Sequence, residues 1–169
     1  MKKYPVYPEG KYFGIVYKVV PKWRVSRSGR RFCRYGVVVL LFKNLTNGHV
    51  FEKPVQFWFF PGPILKGGLG RGWNIDLNET ALKLGVTPQS TDSKNILPIS
   101  GIPVLIDITI IKVRLRNTAS SRPRPGTGEC PVAIIRRNKV ESIQNANDHL
   151  TELPIPKDFD LDRYRDEHQ

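Results

Sequence analysis

The hydrophobic pattern predicts strands almost throughout. Residues 11–20 (KYFGIVYKVV) are β-branched and aromatic with no helix cap, which predicts a first strand. Pro21 to Gly29 follows as a loop with Ser-Arg-Ser-Gly turn chemistry. Residues 31–42 form a second predicted strand, whose second half, VVVLLF, is apolar at every position. The NLTNG segment at 44–48 predicts a hairpin turn, because Asn47-Gly48 tolerates positive φ. A third strand is predicted over 49–60, with Pro54 marking an edge position or a bulge.

After a glycine-rich connection at 61–75 comes the one clear helix signal, over 76–85. Asp76 is a candidate N-cap and Glu79 completes a capping box. Leu77, Ala81, Leu82 and Leu84 supply an apolar side, and Gly85 is the stop. Residues 86–100 are a polar loop, 102–116 a fourth strand, 117–129 a Pro/Ser/Arg loop and 130–143 a fifth strand. The first ten residues, with Pro5, Pro8 and Gly10, are an extended lead-in, and no internal repeat is present. This order, three strands, a helix and two strands, predicts an all-β fold: a five-stranded Greek-key OB-fold barrel with one helix between strands three and four. In that fold, ligands lie across strands two and three, gripped by the loops joining strands one to two and four to five.

Charge sharpens this picture. The chain has 169 residues, enough for one domain with a proper core, and a net charge of +12. Residues 141–169 hold eight acids against three bases, a balance of −5, which leaves +17 on residues 1–140. The predicted organisation is therefore a basic domain over 1–144 and an acidic, weakly structured tail over 145–169. Weak apolar anchors in the tail are Leu153, Ile155, Phe159 and Leu161. So polar a tail is expected to bury little surface, and losing 157–169 is expected to leave stability nearly unchanged.

The positive charge is concentrated around the two predicted loops. Lys18 to Arg34 contains seven bases and no acid; Lys112 to Lys139 contains eight bases and one acid, Glu129. If the fold brings these stretches together, they form a cationic clamp for a polyanion. Arginine suits that role through its planar fork of donors and its capacity to stack on bases. Aromatics are interleaved with the cations, as single-stranded nucleic acid requires. Trp23 lies between Lys22 and Arg24, and Phe32 and Tyr35 alternate with Arg31 and Arg34. On the third strand, alternation assigns Val55, Phe57 and Phe59 to the core and Gln56, Trp58 and Phe60 to the ligand. Together with Arg27, Arg30, Arg114, Arg116, Arg122 and Arg124, these residues make up the candidate nucleic-acid site.

Signals for catalysis are poor. His49, His149 and His168 are scattered, and Cys33 and Cys130 lack zinc-site spacing. GGLGRG at 67–72 is followed by no Gly-Lys-Ser/Thr and lacks the context of a dinucleotide fingerprint. Asp107, in an apolar strand, reads as a satisfied structural aspartate rather than a metal ligand. Neither an enzyme nor a cofactor or metal is expected. Met-Lys-Lys-Tyr-Pro does not open a signal peptide, and no apolar run reaches the roughly 20 residues of a bilayer span. A cytoplasmic protein without a membrane partner is the expectation, in the host cytoplasm if viral.

PEGKYFGIVYKVV (8–20), SRSGRRFCRYGVVVLLF (26–42), DLNETALKLG (76–85) and GIPVLIDITIIKVR (101–114), followed by a basic loop and a last strand, resemble the small OB-fold single-stranded DNA-binding proteins of phages and viruses. The resemblance is one of plan and covers roughly 8–143. It implies a protein that holds single-stranded DNA with little sequence preference in replication or recombination. The acidic tail is similar to the protein-recruiting tails of that family, which implies replication proteins as partners. The bacterial type closes such a tail with Pro and Phe, whereas this chain ends Asp-Glu-His-Gln. Two alternatives stand beside this expectation: an RNA-binding OB-fold protein, and a structural or adaptor protein of a virion or replisome.

Overall fold

The computed structural model describes residues 5–25, 28–63, 73–74, 83–84, 99–116 and 132–168. Among them are the strands β1 (Gly10–Val25), β2 (Arg31–Asn44), β3 (Val50–Phe59), β4 (Gly62–Pro63), β5 (Trp73–Asn74), β6 (Pro103–Arg116) and β7 (Val132–Asn145). Five of these make one antiparallel sheet in the spatial order β3-β2-β1-β6-β7, curled into a half-barrel, while β4 and β5 pair separately. The chain is thus mostly β, as its β-branched segments predict. Of the predicted helix over 76–85, the described residues include only Lys83 and Leu84, and Leu84 is buried.

The strand ends follow local chemistry. Asn44 is buried at the β2–β3 turn, where its Oδ1 accepts from the amides of Thr46 and Asn47, and Gly48 takes the positive φ of 78° that closes the turn. β3 lies at one end of the strand order, and its register with β2 jumps from Leu41–Val55 to Lys43–Val50, an irregularity that takes in Pro54. One boundary differs from the expected one: β1 runs on through Pro21 to Val25 instead of ending near Val20. Beyond Ile15, β6 no longer pairs with β1, so among the described strands the proline sits where β1 has a neighbour on one side only.

The inner face of the sheet holds Tyr12, Val16, Val37, Val39, Leu41, Phe57, Phe59, Val104, Ile106, Ile108, Val140 and Ile143, with Leu84 and Ile99 packed against them. Alternation sends Phe13, Ile15, Tyr17, Val38, Leu40, Phe42 and Leu105 to the outer face, where they are equally buried. An antiparallel sheet normally has one wet face. Here the outer face has a cover, the C-terminal segment.

That cover corrects the expected weakly structured tail. After β7 the chain makes a 3-10 turn at Asn147–His149 and later a helix at Leu161–Glu167. Asp160 caps the helix, its Oδ1 accepting from the amides of Asp162 and Arg163. Ala146, Leu150, Leu153, Ile155, Phe159, Leu161 and Tyr164 all pack against the outer face. Phe159 meets Phe42 edge-on with ring centroids 5.0 Å apart, and Tyr164 meets Tyr17 in the same way at 5.2 Å. Arg165 donates to Ser100 Oγ at 3.1 Å, and that hydroxyl donates to the carbonyl of Tyr17. Apolar contact holds the segment down, while its carboxylates face water; its ion pairs, Arg163–Glu167 and Arg165–Asp162, are internal.

Candidate nucleic-acid interface

β1 and β6 pair only over Gly10–Ile15 with Ile108–Pro103. β1 then continues with β2, flanked by β3 as far as Val37 and, among the described strands, as a two-stranded arm from Val20 to Val25 and Arg31; β6 continues with β7 as a second arm to Arg116 and Val132. Because β1 and β6 are antiparallel, the two arms leave their shared ladder from opposite ends. The first basic stretch, Lys18 to Arg34, runs largely along the first arm; the ends of the second, 112–116 and 132–139, run along the other arm, and its predicted loop at 117–129 lies outside the described residues. The register does not set them side by side.

On the first arm, Trp23 is 56 % exposed, and the guanidinium carbon of Arg31 stands 5.2 Å from its ring centroid. Val25 beside it is also exposed. The backbone register sets Lys22 opposite Arg34, Arg24 opposite Phe32, and Tyr35 opposite Pro21. Arg30 is exposed at the turn, and Arg27 lies outside the described residues. On the second arm, Lys112 pairs directly with Arg136, and both are exposed. Arg114 and Arg116 follow at alternate positions of the same strand, while Arg122 and Arg124 lie outside the described residues. Lys112 and Arg136 also line an open groove of about 900 Å³ with Val6, Pro8, Glu9 and Ile110. Glu9 is engaged there, its Oε1 accepting from the amide of Ile110 at 2.8 Å.

Each arm therefore carries a rung that sets one cation opposite another. Like charges directly opposite on a sheet are destabilising. Lys112 and Arg136 were not among the candidate site residues, because cross-strand pairing cannot be read without the register.

Beside the first arm, at the β2 edge of the sheet, lies the third-strand face. Phe57 and Phe59 belong to the inner core and Val55 packs against it, while Gln56 and Trp58 lie on the outer face, as alternation predicts. Trp58 and Phe60 are half-buried. The space that a side chain at Gly36 would fill is taken by the Phe60 ring at 3.2 Å and by Trp58 Cε3 at 3.5 Å. The Lys22 ammonium stands 5.9 Å from the Trp58 ring centroid. Gly36 was not singled out, although a glycine opening an otherwise apolar strand run marks a place of close approach. Here it makes a seat for two aromatic rings. The C-terminal helix borders this seat, since Gln56 Nε2 donates to Tyr164 Oη at 3.0 Å.

Asp107 accepts a hydrogen bond from Ser142 Oγ at 2.5 Å. Among the described residues, no group of three or more His, Cys, Asp or Glu side chains is placed to hold a metal ion, and no helix is long and apolar enough to cross a membrane. Comparison with protein-family models, with curated proteins and with solved structures returns no match.

Proposed function

We propose that this chain is a non-sequence-specific single-stranded DNA-binding protein of the OB type, acting in replication or recombination without catalysing a reaction. The observation that carries the reading is Trp23: a large aromatic face left mostly in water, on a narrow ribbon, with arginine beside it. Bases stack on such a face at about 1–3 kcal/mol each, without regard to sequence. The like-charge rung Lys112–Arg136, with both side chains exposed, supports a polyanionic ligand, because phosphates placed between such cations relieve their repulsion. The spatial order β6-β1-β2-β3 supports the OB assignment: three hairpin-linked strands, and a fourth returning by a long connection to lie beside the first, are the Greek-key arrangement.

Titration with labelled oligothymidine at several salt concentrations tests the reading. If about five phosphates are neutralised, log Kd should change with log salt at a slope of magnitude roughly 3–4. Trp23→Ala should weaken binding by about 1–3 kcal/mol while the protein stays folded. No binding at low salt, or a slope near zero, refutes the proposal. Tighter binding to RNA than to DNA of the same sequence moves the assignment to RNA. An adaptor with an acidic protein partner would bind neither.

A further inference from the structure

The seat around Gly36 and the C-terminal helix are joined by a chain of hydrogen bonds whose polarity is fixed by chemistry. Trp58 Nε1 is a donor only, so the Gln56 oxygen must face it, at 3.4 Å. That turns the Gln56 amide nitrogen toward Tyr164, whose hydroxyl accepts at 3.0 Å. Tyr164 is itself immobilised: its ring stands edge-on to Tyr17, and its neighbour Arg165 is tied to Ser100. His168 stacks on the outer side of the Tyr164 ring at 3.8 Å. The indole of Trp58 is thus oriented, through one glutamine, by a residue 106 positions further along the chain.

We propose that Tyr164 is a positioning residue for Trp58: its hydroxyl fixes the Gln56 amide, the amide fixes the indole, and the indole is thereby held ready for a base to stack on. This inference rests on the single-stranded DNA reading above. It gives the C-terminal segment a part in binding that does not depend on its charge. A half-buried indole free to rotate about its own bonds loses that freedom on stacking, at a cost in affinity; one already held does not. The same contact sets the limit of the binding face. Beyond Gln56 toward the β2–β3 turn the outer face is covered, so a strand reaches Trp58 and Phe60 from the side of the first arm.

The test uses the full chain labelled with 5-fluorotryptophan, whose three indoles are resolved by fluorine NMR, with Trp58→Phe assigning the Trp58 signal. Tyr164→Phe keeps the ring and removes only the hydroxyl. It should leave the melting temperature nearly unchanged, shift or broaden the Trp58 signal in the free protein, and weaken oligothymidine binding about 3–10-fold. Gln56→Leu should do the same, and the double variant should be no weaker than either single one, because the two residues act through one chain. A purely packing role for Tyr164 would leave the Trp58 signal where it is. If Tyr164→Phe changes neither that signal nor the affinity of a protein that binds oligothymidine, the positioning role is overturned alone. If the parent protein does not bind, the function reading falls and takes the stacking role with it.

Discussion

Replacing Phe159 by alanine separates two ways of holding an acidic segment against a basic body. If charge held it, the ring would be dispensable and salt would release the segment. The structure predicts the opposite. Phe159 packs on Phe42 at 5.0 Å and beside Tyr164 at 6.1 Å, and it is half-buried. Full truncation of a buried phenylalanine costs about 3–5 kcal/mol. Half burial scales that to roughly 1.5–2.5 kcal/mol, and losing the edge-on contact with Phe42 adds about 0.5–1 kcal/mol, for a total of about 2–3.5 kcal/mol. Such a loss in a chain of this size lowers the melting temperature by roughly 4–14 °C. The backbone stays as ordered as before, so no gain in chain entropy confuses the comparison. Asp166→Asn, at an exposed carboxylate, is the control and should change stability by less than about 0.5 kcal/mol. Urea unfolding at low and high salt is the assay. Deleting 157–169 altogether should uncover Phe42 and Tyr17 and give a protein that binds hydrophobic dyes. If Phe159→Ala unfolds at the parent midpoint while Asp166→Asn or added salt loosens the segment, the apolar argument is refuted.

Two further outcomes are expected. Gly14→Ala should destabilise by about 1–3 kcal/mol, because a Cβ there would run into the Leu40 carbonyl oxygen, a backbone atom that cannot turn aside; urea midpoints equal to the parent's would contradict this. Burial raises the pKa of Tyr7 and Tyr12 above 10.0, and for Tyr12 the hydrogen bond with Asn44 opposes the shift while the neighbouring Tyr7 adds to it. Their neutral forms are favoured in the folded state, so their contribution is complete below about pH 10 and is lost as pH rises through the folded values. Stability should therefore fall on the alkaline side with the appearance of phenolate absorbance, and Tyr12→Phe should flatten that fall. An unchanged stability through the phenolate transition refutes it.

The strands were legible because β-branched and aromatic residues fill them and turn residues punctuate them. Asn47-Gly48 and Pro54 lie where their chemistry suggests. The covered outer face was harder to read. Leu150, Leu153, Ile155, Phe159, Leu161 and Tyr164 follow neither a period of two nor one of 3.6, and Pro154 and Pro156 interrupt them, so no single element announces an apolar side. Yet the partner of that segment left a trace in VVVLLF and FGIVY. A strand apolar at every position needs burial on both faces, and the predicted helix and loops supplied only one cover. The site was legible in its residue types but not in its arrangement. The alternation that placed Trp58 on the outer face is local, whereas the rungs Lys22–Arg34 and Lys112–Arg136, the seat at Gly36 and the contact between Gln56 and Tyr164 depend on register and on distant chain.

The short seam between β1 and β6 also bears on how the molecule comes to be folded. The hairpin β1–β2 and its neighbour β3 pair residues close in sequence, and so do β6 and β7 across their loop. Each can form early, as local contacts do. Joining the two groups requires Gly10 to find Ile108, across almost a hundred intervening residues, for only six paired positions. Closure of a loop that long is entropically unfavourable before any of its contacts form. The seam is therefore the pairing with the largest loop-closure cost in the five-stranded sheet, and the one expected to limit the folding rate. The C-terminal segment follows β7 but packs on Tyr17 of β1 and Phe42 of β2, so it can settle only once the two groups have docked. Until then Phe13, Ile15 and Tyr17 on β1 lack that cover, and exposed apolar strands of this kind are where aggregation is expected to compete with folding.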